Sequence, residues 1–522
     1  ILLITGIRLT EKETIHLCLT EIENMLQANR RSLRDFPSMS YPIGYARNQH
    51  HNNLIHNEMA YDKEMLAEQY NTAYQLLTDE QKTIVDTIMS VVNTQSAAVY
   101  FLYGYGGTGK TFVWTTLSSG IRSNGGIVCT VASSGIDSLL LPGGRTTHSK
   151  FAIPVPATEN STCNIHQGSE LAELLKVTKL IVWDEAPMCH KFAFEALDKS
   201  LKDIMQKNLP FGGNIMVFGG DFRQILPIVP KGNRSDIVHA TINASYIWDH
   251  CQILKLTKKH EIAIKCSNEE LKQFSHWLLD IGDGKIGQYN DGFSEITIPN
   301  EFLIKNYDDP IHAIVEATYP SLINNYSDTD YLQKRVVLAS KKEIVDKIND
   351  YVLSLIPNNE KEYCSADSTP NHKLKLKVGT PIMLLRNLDQ TDGLCNGTRL
   401  IITKLGSNVI EAEVITGPNS GNRTYIPRIN MSPSESPWPF KLIRRQFPFI
   451  VSYAMTINKS QGQSLHHIGL YLPHPVFSHG QLYVVLSRVK SKDGLHILIH
   501  DNDGNPKNIT TNVVYNEVFA NL

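Results

Sequence analysis

Gly104-Tyr105-Gly106-Gly107-Thr108-Gly109-Lys110-Thr111 is the stretch on which the reading of this chain turns. A short apolar run over residues 97–103 precedes it, and residues 110–121 follow with helical spacing. Glycines in such a strand-to-helix turn let several backbone N–H groups face one phosphate, and the helix N-terminus adds partial positive charge. Gly104, Gly106, Gly107, Thr108 and Gly109 then form the cradle. Lys110 reaches the β- and γ-phosphates of a nucleotide such as ATP, and Thr111 offers its hydroxyl to Mg²⁺. A glycine-rich turn with a chance lysine is the ordinary alternative, and the flanking strand and helix argue against it.

Two further strand ends supply what such a loop needs. Leu180-Ile181-Val182-Trp183-Asp184-Glu185 is apolar until it closes on two carboxylates. Asp184 suits the metal, and Glu185 is left to polarise an attacking water. An acidic cap on the next loop would look the same in isolation. Val217-Phe218-Gly219-Gly220-Asp221-Phe222-Arg223-Gln224 is a third strand end, where Gln224 is placed to sense the γ-phosphate. Gln81 has two readings. Thr78-Asp79-Glu80-Gln81 is a capping box, which spacing favours, yet a glutamine ahead of the phosphate loop also suits an adenine edge. Asn458-Lys459-Ser460-Gln461 imitates a guanine-reading motif but ends in Gln where an Asp is required, which argues against GTP.

Composition narrows the class. The chain has 522 residues, room for three or four domains at roughly 150 residues each. Lys plus Arg number 50 against 52 Asp plus Glu, so any nucleic acid is held by local patches rather than by global charge. No apolar run approaches the roughly 18 residues that span a bilayer, so no membrane role is expected. The eight cysteines form no C-x-x-C pair, which excludes the usual zinc spacings and reads as reduced, buried thiols. The first residue is Ile, so the chain reads as part of a longer frame.

Strands alternate with helices over residues 97–219 and again over 335–355 and 449–499, the pattern of doubly wound parallel sheets. Between them, residues 374–427 break into short β-runs separated by Gly and Asn turns, the texture of a small antiparallel barrel. The expected fold is α/β. An N-terminal extension covers 1–75 and a first nucleotide-binding domain 76–250. The second domain covers 251–373 and 447–522, with the barrel inserted at 374–446.

In combination and order, these motifs resemble the Pif DNA helicases of superfamily one, in the branch carried by Helitron transposons. The resemblance also rests on Gly143-Gly144-Arg145-Thr146-Thr147-His148-Ser149-Lys150-Phe151, Asn396-Gly397-Thr398-Arg399-Leu400, Lys459-Ser460-Gln461-Gly462 and Leu486-Ser487-Arg488-Val489. It implies two RecA-like domains, a small wedge in the first at about 153–167, and an SH3-like barrel in the second. It implies Gln81 at the adenine, and Gln224, Gly462 and Arg488 completing the ATP site. Thr147, His148, Ser149, Phe151, Lys459 and Ser460 would lie on single-stranded DNA; without the resemblance, Lys459 reads as a solvated lysine. The implied activity is ATP-driven unwinding with 5′-to-3′ polarity at duplex/single-strand junctions, serving repair, recombination, telomere or transposon maintenance. The implied protein is nuclear, with the mitochondrion as alternative, and mostly monomeric, with a dimer induced by DNA.

Two departures stand out. Glu261 occupies a place where relatives carry an arginine facing the γ-phosphate, and the segment 365–372 is shorter than usual. They raise two rival readings, a weakened remnant that binds ATP and DNA, and a phosphate-loop enzyme of another kind, such as a small-molecule kinase. Lys441, Arg444 and Arg445 read as a solvated basic face.

Overall fold

The computed structural model describes residues 32–42, 52–258, 269–365, 373–432 and 443–522, less 391, 418, 490 and 521, with isolated positions between 15 and 26. Glu261 and most of the 365–372 segment lie outside the described residues, as does Lys441.

The first domain is built on six parallel strands: β1 (Val99–Gly104), β2 (Ile127–Ala132), β3 (Arg145–Thr146), β4 (Thr178–Asp184), β5 (Met216–Gly220) and β6 (Cys251–Leu256). Their order is β3-β2-β4-β5-β1-β6. Every residue of β2 and β5 is buried, as expected for parallel strands covered by helices on both faces, and this is why they read as continuous apolar runs. The order places the carboxyl ends of β1, β4 and β5 side by side, and β1 pairs with β5 from Val99↔Met216 to Tyr103↔Gly220. The three motif-bearing turns therefore meet at one edge, the usual ligand crevice of an open α/β sheet.

Two boundaries move. Cys251–Leu256 pairs with β1 along its whole length, so the first sheet runs past residue 250. Residues 52–76 are also integral to this domain. The helix Lys63–Leu76 lies on the helix Lys110–Ser123, where a Cβ on Gly120 would stand 2.7 Å from the Tyr70 ring. Glu58, on the helix Asn53–Met59, meets the buried cations Arg122 at 3.4 Å and Lys150 at 3.5 Å. The wedge region 153–167 has no helix or strand. It is held to the helix Lys191–Met205 by the Cys163 amide, which donates to Ser200 Oγ at 2.8 Å, and by the Lys199 ammonium, which donates to the Glu159 carbonyl.

The second domain has a four-stranded parallel sheet in the order Ala454–Thr456, Arg335–Ala339, His467–Leu472, Leu495–Ile499. The inserted unit is a five-stranded antiparallel sheet, ordered Arg423–Pro427, Val409–Val414, Arg399–Leu405, Pro381–Leu384, Phe449–Val451. Phe449–Val451, expected in the parallel sheet, pairs antiparallel with Pro381–Leu384 instead, and the parallel strand is Ala454–Thr456. The chain thus leaves the insertion and enters the parallel sheet within three residues. Arg399 locks this junction. Its guanidinium has no exposed surface and donates to the carbonyls of Leu332, Gln333, Arg335 and Ser452.

Candidate nucleotide and strand-binding site

The phosphate loop owes its shape to its glycines. Gly107 and Gly109 adopt φ of 87° and 83°, which an L side chain rarely takes up. A Cβ on Gly104 would stand 2.7 Å from Thr108 Oγ1, whereas one on Gly106 would meet nothing within 4 Å. Gly109 caps the helix Lys110–Ser123 without any side-chain hydrogen bond, so the first helical N–H groups face the loop and suit an anion. Lys110 is buried and folds back to donate to the Gly104 carbonyl at 2.5 Å.

Gln81 satisfies the capping-box reading in full. Its Oε1 accepts from the Thr78 amide at 3.0 Å, and its own amide donates to Thr78 Oγ1 at 3.4 Å. Its Nε2 also donates to the Thr108 carbonyl at 2.9 Å, so this cap buttresses the phosphate loop from behind.

Asp184 ends β4 nearly buried, and among the described residues its Oδ1 has no hydrogen-bond partner. Burial raises its pKa, with Lys110 pulling the other way. An unpartnered buried acceptor beside a lysine and a phosphate loop fits a hydrated divalent cation, with the Thr111 hydroxyl at the start of the facing helix as the other ligand. Glu185 follows in the left-handed region, φ 51° and ψ 42°, a strained conformation for a residue with a side chain. Burial pushes its carboxyl up to about 8, while Lys110 opposes. Gln224 Nε2 donates to both Glu185 oxygens, at 3.3 and 3.2 Å, so the two side chains expected at the γ-phosphate are in contact.

From the second domain, Arg488 ends the helix Gln481–Arg488, with Nε donating to the Val484 carbonyl at 3.2 Å. Its charge acts on Glu185 and on Asp137, which places it at this cleft. Gly462 reaches the same place, since a Cβ on it would stand 2.3 Å from Asp137 Oδ1. Asp137 was missed in the sequence. It is buried, accepts from the Ser134 hydroxyl, and has a raised pKa through burial. Nothing in Ser134-Gly135-Ile136-Asp137 distinguishes it from a helix start.

The residues expected on a DNA strand divide. His148 and Ser149 are half-exposed, and Ser149 Oγ donates to Gln390 Oε1 of the inserted sheet at 3.0 Å. Gln390 Nε2 in turn donates to Thr146 Oγ1 at 3.2 Å, so the insertion reaches across to the first domain. Lys459 is half-buried and donates to Asn396 Oδ1 at 3.4 Å; burial lowers its pKa. Thr147 and Ser460 have no exposed surface, and Ser460 Oγ donates to the Ile457 carbonyl at 2.7 Å. Phe151 is a correction. Its ring is fully buried, 6.2 Å from the Trp183 ring, so it supports β4 and cannot stack on a base.

Comparison with known proteins decides the family. Residues 76–292 match the profile of the PIF1-like helicases, and residues 361–405 match that of the 2B domain of the DNA helicase Pif1. The chain belongs to the PIF1-like helicase family. The ATP-dependent DNA helicase PIF1 of Xenopus laevis is 25% identical over 461 residues, covering 84% of this chain and 63% of that protein. The chain thus spans less than two thirds of this relative. The crystal structure of Bacteroides Pif1 bound to ssDNA superimposes with a TM-score of 0.60 at 25% identity, covering 81% of this chain and 92% of that one. A structure of two coordinating Pif1 helicases at forked dsDNA gives 0.59 at 25% identity, with the same coverage. The paired parallel sheets with an inserted antiparallel unit are thus the PIF1-like arrangement of two RecA-like domains and a 2B domain. Among the described residues no helix is long and apolar enough to cross a membrane.

Proposed function

We propose that this chain is the motor core of an ATP-dependent DNA helicase that tracks 5′-to-3′ along single-stranded DNA. The observation that carries the ATP site is the convergence of Lys110, Asp184, Glu185 and Gln224 from three adjacent strand ends, with Arg488 entering from the other domain. ATP with Mg²⁺ supplies a phosphoanhydride whose cleavage is the energy source. Lys110 neutralises charge on the β- and γ-phosphates. Thr111 and Asp184 would hold the metal, which would supply further positive charge against the phosphates. Glu185 orients and polarises the water, which requires its ionised form, and Lys110 and Arg488 favour that form. Arg488 stabilises charge that develops on the γ-phosphate.

DNA as partner is supported by the family and by the Bacteroides Pif1 structure bound to ssDNA. In this reading His148, Ser149 and Lys459, the expected strand contacts that keep some exposed surface, hold a backbone without reading sequence. Polarity and the Helitron-type branch rest on the resemblance of the motifs. The test is unwinding of duplexes with a 5′ or a 3′ single-stranded tail. Unwinding confined to 5′-tailed substrates supports the reading, and equal activity on both overturns the polarity.

A further inference from the structure

The sensor loop after β5 meets the second domain at three points, two hydrogen bonds and one close packing contact. Tyr483 donates to Asp221 Oδ2 at 2.7 Å. His479 Nε2 donates to the Phe222 carbonyl at 2.7 Å, and its Nδ1 accepts from the Tyr515 amide at 2.8 Å. Gly480, at φ 73°, packs so closely that a Cβ would stand 2.3 Å from the Arg223 carbonyl oxygen and 2.7 Å from that of Gln224. The backbone of the γ-phosphate sensor is therefore in contact with the start of the helix that ends in Arg488.

The next residue continues the chain of contacts. Gln481 is buried, and its Oε1 accepts from the Phe477 and Ser478 amides at 3.1 and 3.3 Å. Two backbone N–H groups on one side leave its Nε2 on the other, so the amide orientation is determined. That Nε2 donates to Asn458 Oδ1 at 3.1 Å. Asn458 belongs to the turn Ile457–Ser460, which carries Lys459, so the asparagine that imitates a guanine-reading motif has a different partner.

We propose that Gln481 and Asn458 are positioning residues that couple the sensor loop at Gln224 to the strand-contacting turn at Lys459. The inference rests on the helicase reading. A displacement of the Gln224 backbone on γ-phosphate loss presses on Gly480, shifts the helix start, and moves Asn458 through one amide hydrogen bond. Contiguous packed groups with a single polar link can transmit such a shift, and removing the link separates the sites without dismantling either. Neither residue touches nucleotide or strand in this scheme, so basal hydrolysis does not require them.

The test uses the full chain, ATP, and a thymidine homo-oligomer. Gln481→Leu and Asn458→Leu are expected to keep basal hydrolysis while losing DNA stimulation by about tenfold, within the usual range of coupling energies. Asn458→Leu should keep the melting temperature, whereas Gln481→Leu should lower it because the Phe477 and Ser478 amides also lose their acceptor. Asn458→Asp keeps the acceptor and should keep the stimulation. The double variant Gln481→Leu/Asn458→Leu should be no worse than either single one. Wild-type stimulation in both leucine variants overturns the proposal. So does a parallel fall of basal rate, stimulated rate and melting temperature, which would mark a packing role alone. A wild-type chain that hydrolyses ATP without any response to DNA removes the helicase reading itself, and the proposal with it.

Discussion

Tyr483 of the second domain donates its hydroxyl to the fully buried carboxylate of Asp221 in the first, across 2.7 Å and 262 positions of chain. Arg223 also faces that carboxylate, at 3.4 Å, and reaches Asp283 at 2.5 Å. Tyr483→Phe leaves Asp221 with Arg223 but removes a charge-assisted bond, at a cost of about 1–3 kcal/mol. Chemical denaturation should show a lower midpoint. An unchanged midpoint would mean that the two domains are not joined here.

Gly480→Ala should be far more damaging than Gly504→Ala. Both glycines have positive φ, 73° and 85°, yet a Cβ on Gly504 meets nothing within 4 Å while one on Gly480 meets the Arg223 carbonyl at 2.3 Å. Strain alone costs roughly 1–2 kcal/mol, and the clash adds to it only at Gly480. Thermal melts of the two variants compare the effects directly. Equal shifts would contradict the close approach.

His479 makes stability fall in acid. Burial lowers its pKa from 6.5 to about 4, with Asp221 and Glu517 opposing. The neutral imidazole is the form that both donates to Phe222 and accepts from Tyr515, so the group contributes fully above about 6.5 and its contribution is lost as pH falls toward 4. The loss approaches roughly 3 kcal/mol. Denaturation midpoints between pH 7 and pH 4 should fall less steeply in His479→Gln than in the wild type. Identical slopes would mean the imidazole is not buried neutral.

Lys110→Ala should abolish ATP hydrolysis with the melting temperature retained, because it removes charge from the phosphates and only one bond, to Gly104. Residual turnover above about a tenth of wild type, a loss of less than 1.4 kcal/mol in barrier, would contradict the assignment. Glu185→Gln should still bind nucleotide and fail to hydrolyse it. Loss of binding in that variant would show that Glu185 does more than polarise water.

The core of the fold was legible because parallel strands buried on both faces read as continuous apolar runs. Within the stretch 97–219, read as alternating strands and helices, Ile127–Ala132 forms β2 with every residue buried. Phe449–Val451 was misplaced because an apolar triplet is compatible with either sheet, and only pairing distinguishes them. The phosphate loop and the two acidic residues at the end of β4 were visible because their chemistry is local in sequence. Phe151 was not, because its neighbours Ser149 and Lys150 are polar while its ring turns to Trp183, a choice made by tertiary packing. Asp221 with Tyr483, and Gln481 with Asn458, are single polar pairs between distant segments, and no periodicity announces them.

The most direct measurement is the rate of ATP hydrolysis by the wild-type chain with and without single-stranded DNA. A motor that joins the Lys110–Glu185 site to a strand held near Ser149 and Lys459 predicts Mg²⁺-dependent hydrolysis that rises several-fold when the DNA is added. Absence of hydrolysis, or a rate indifferent to DNA, would contradict it.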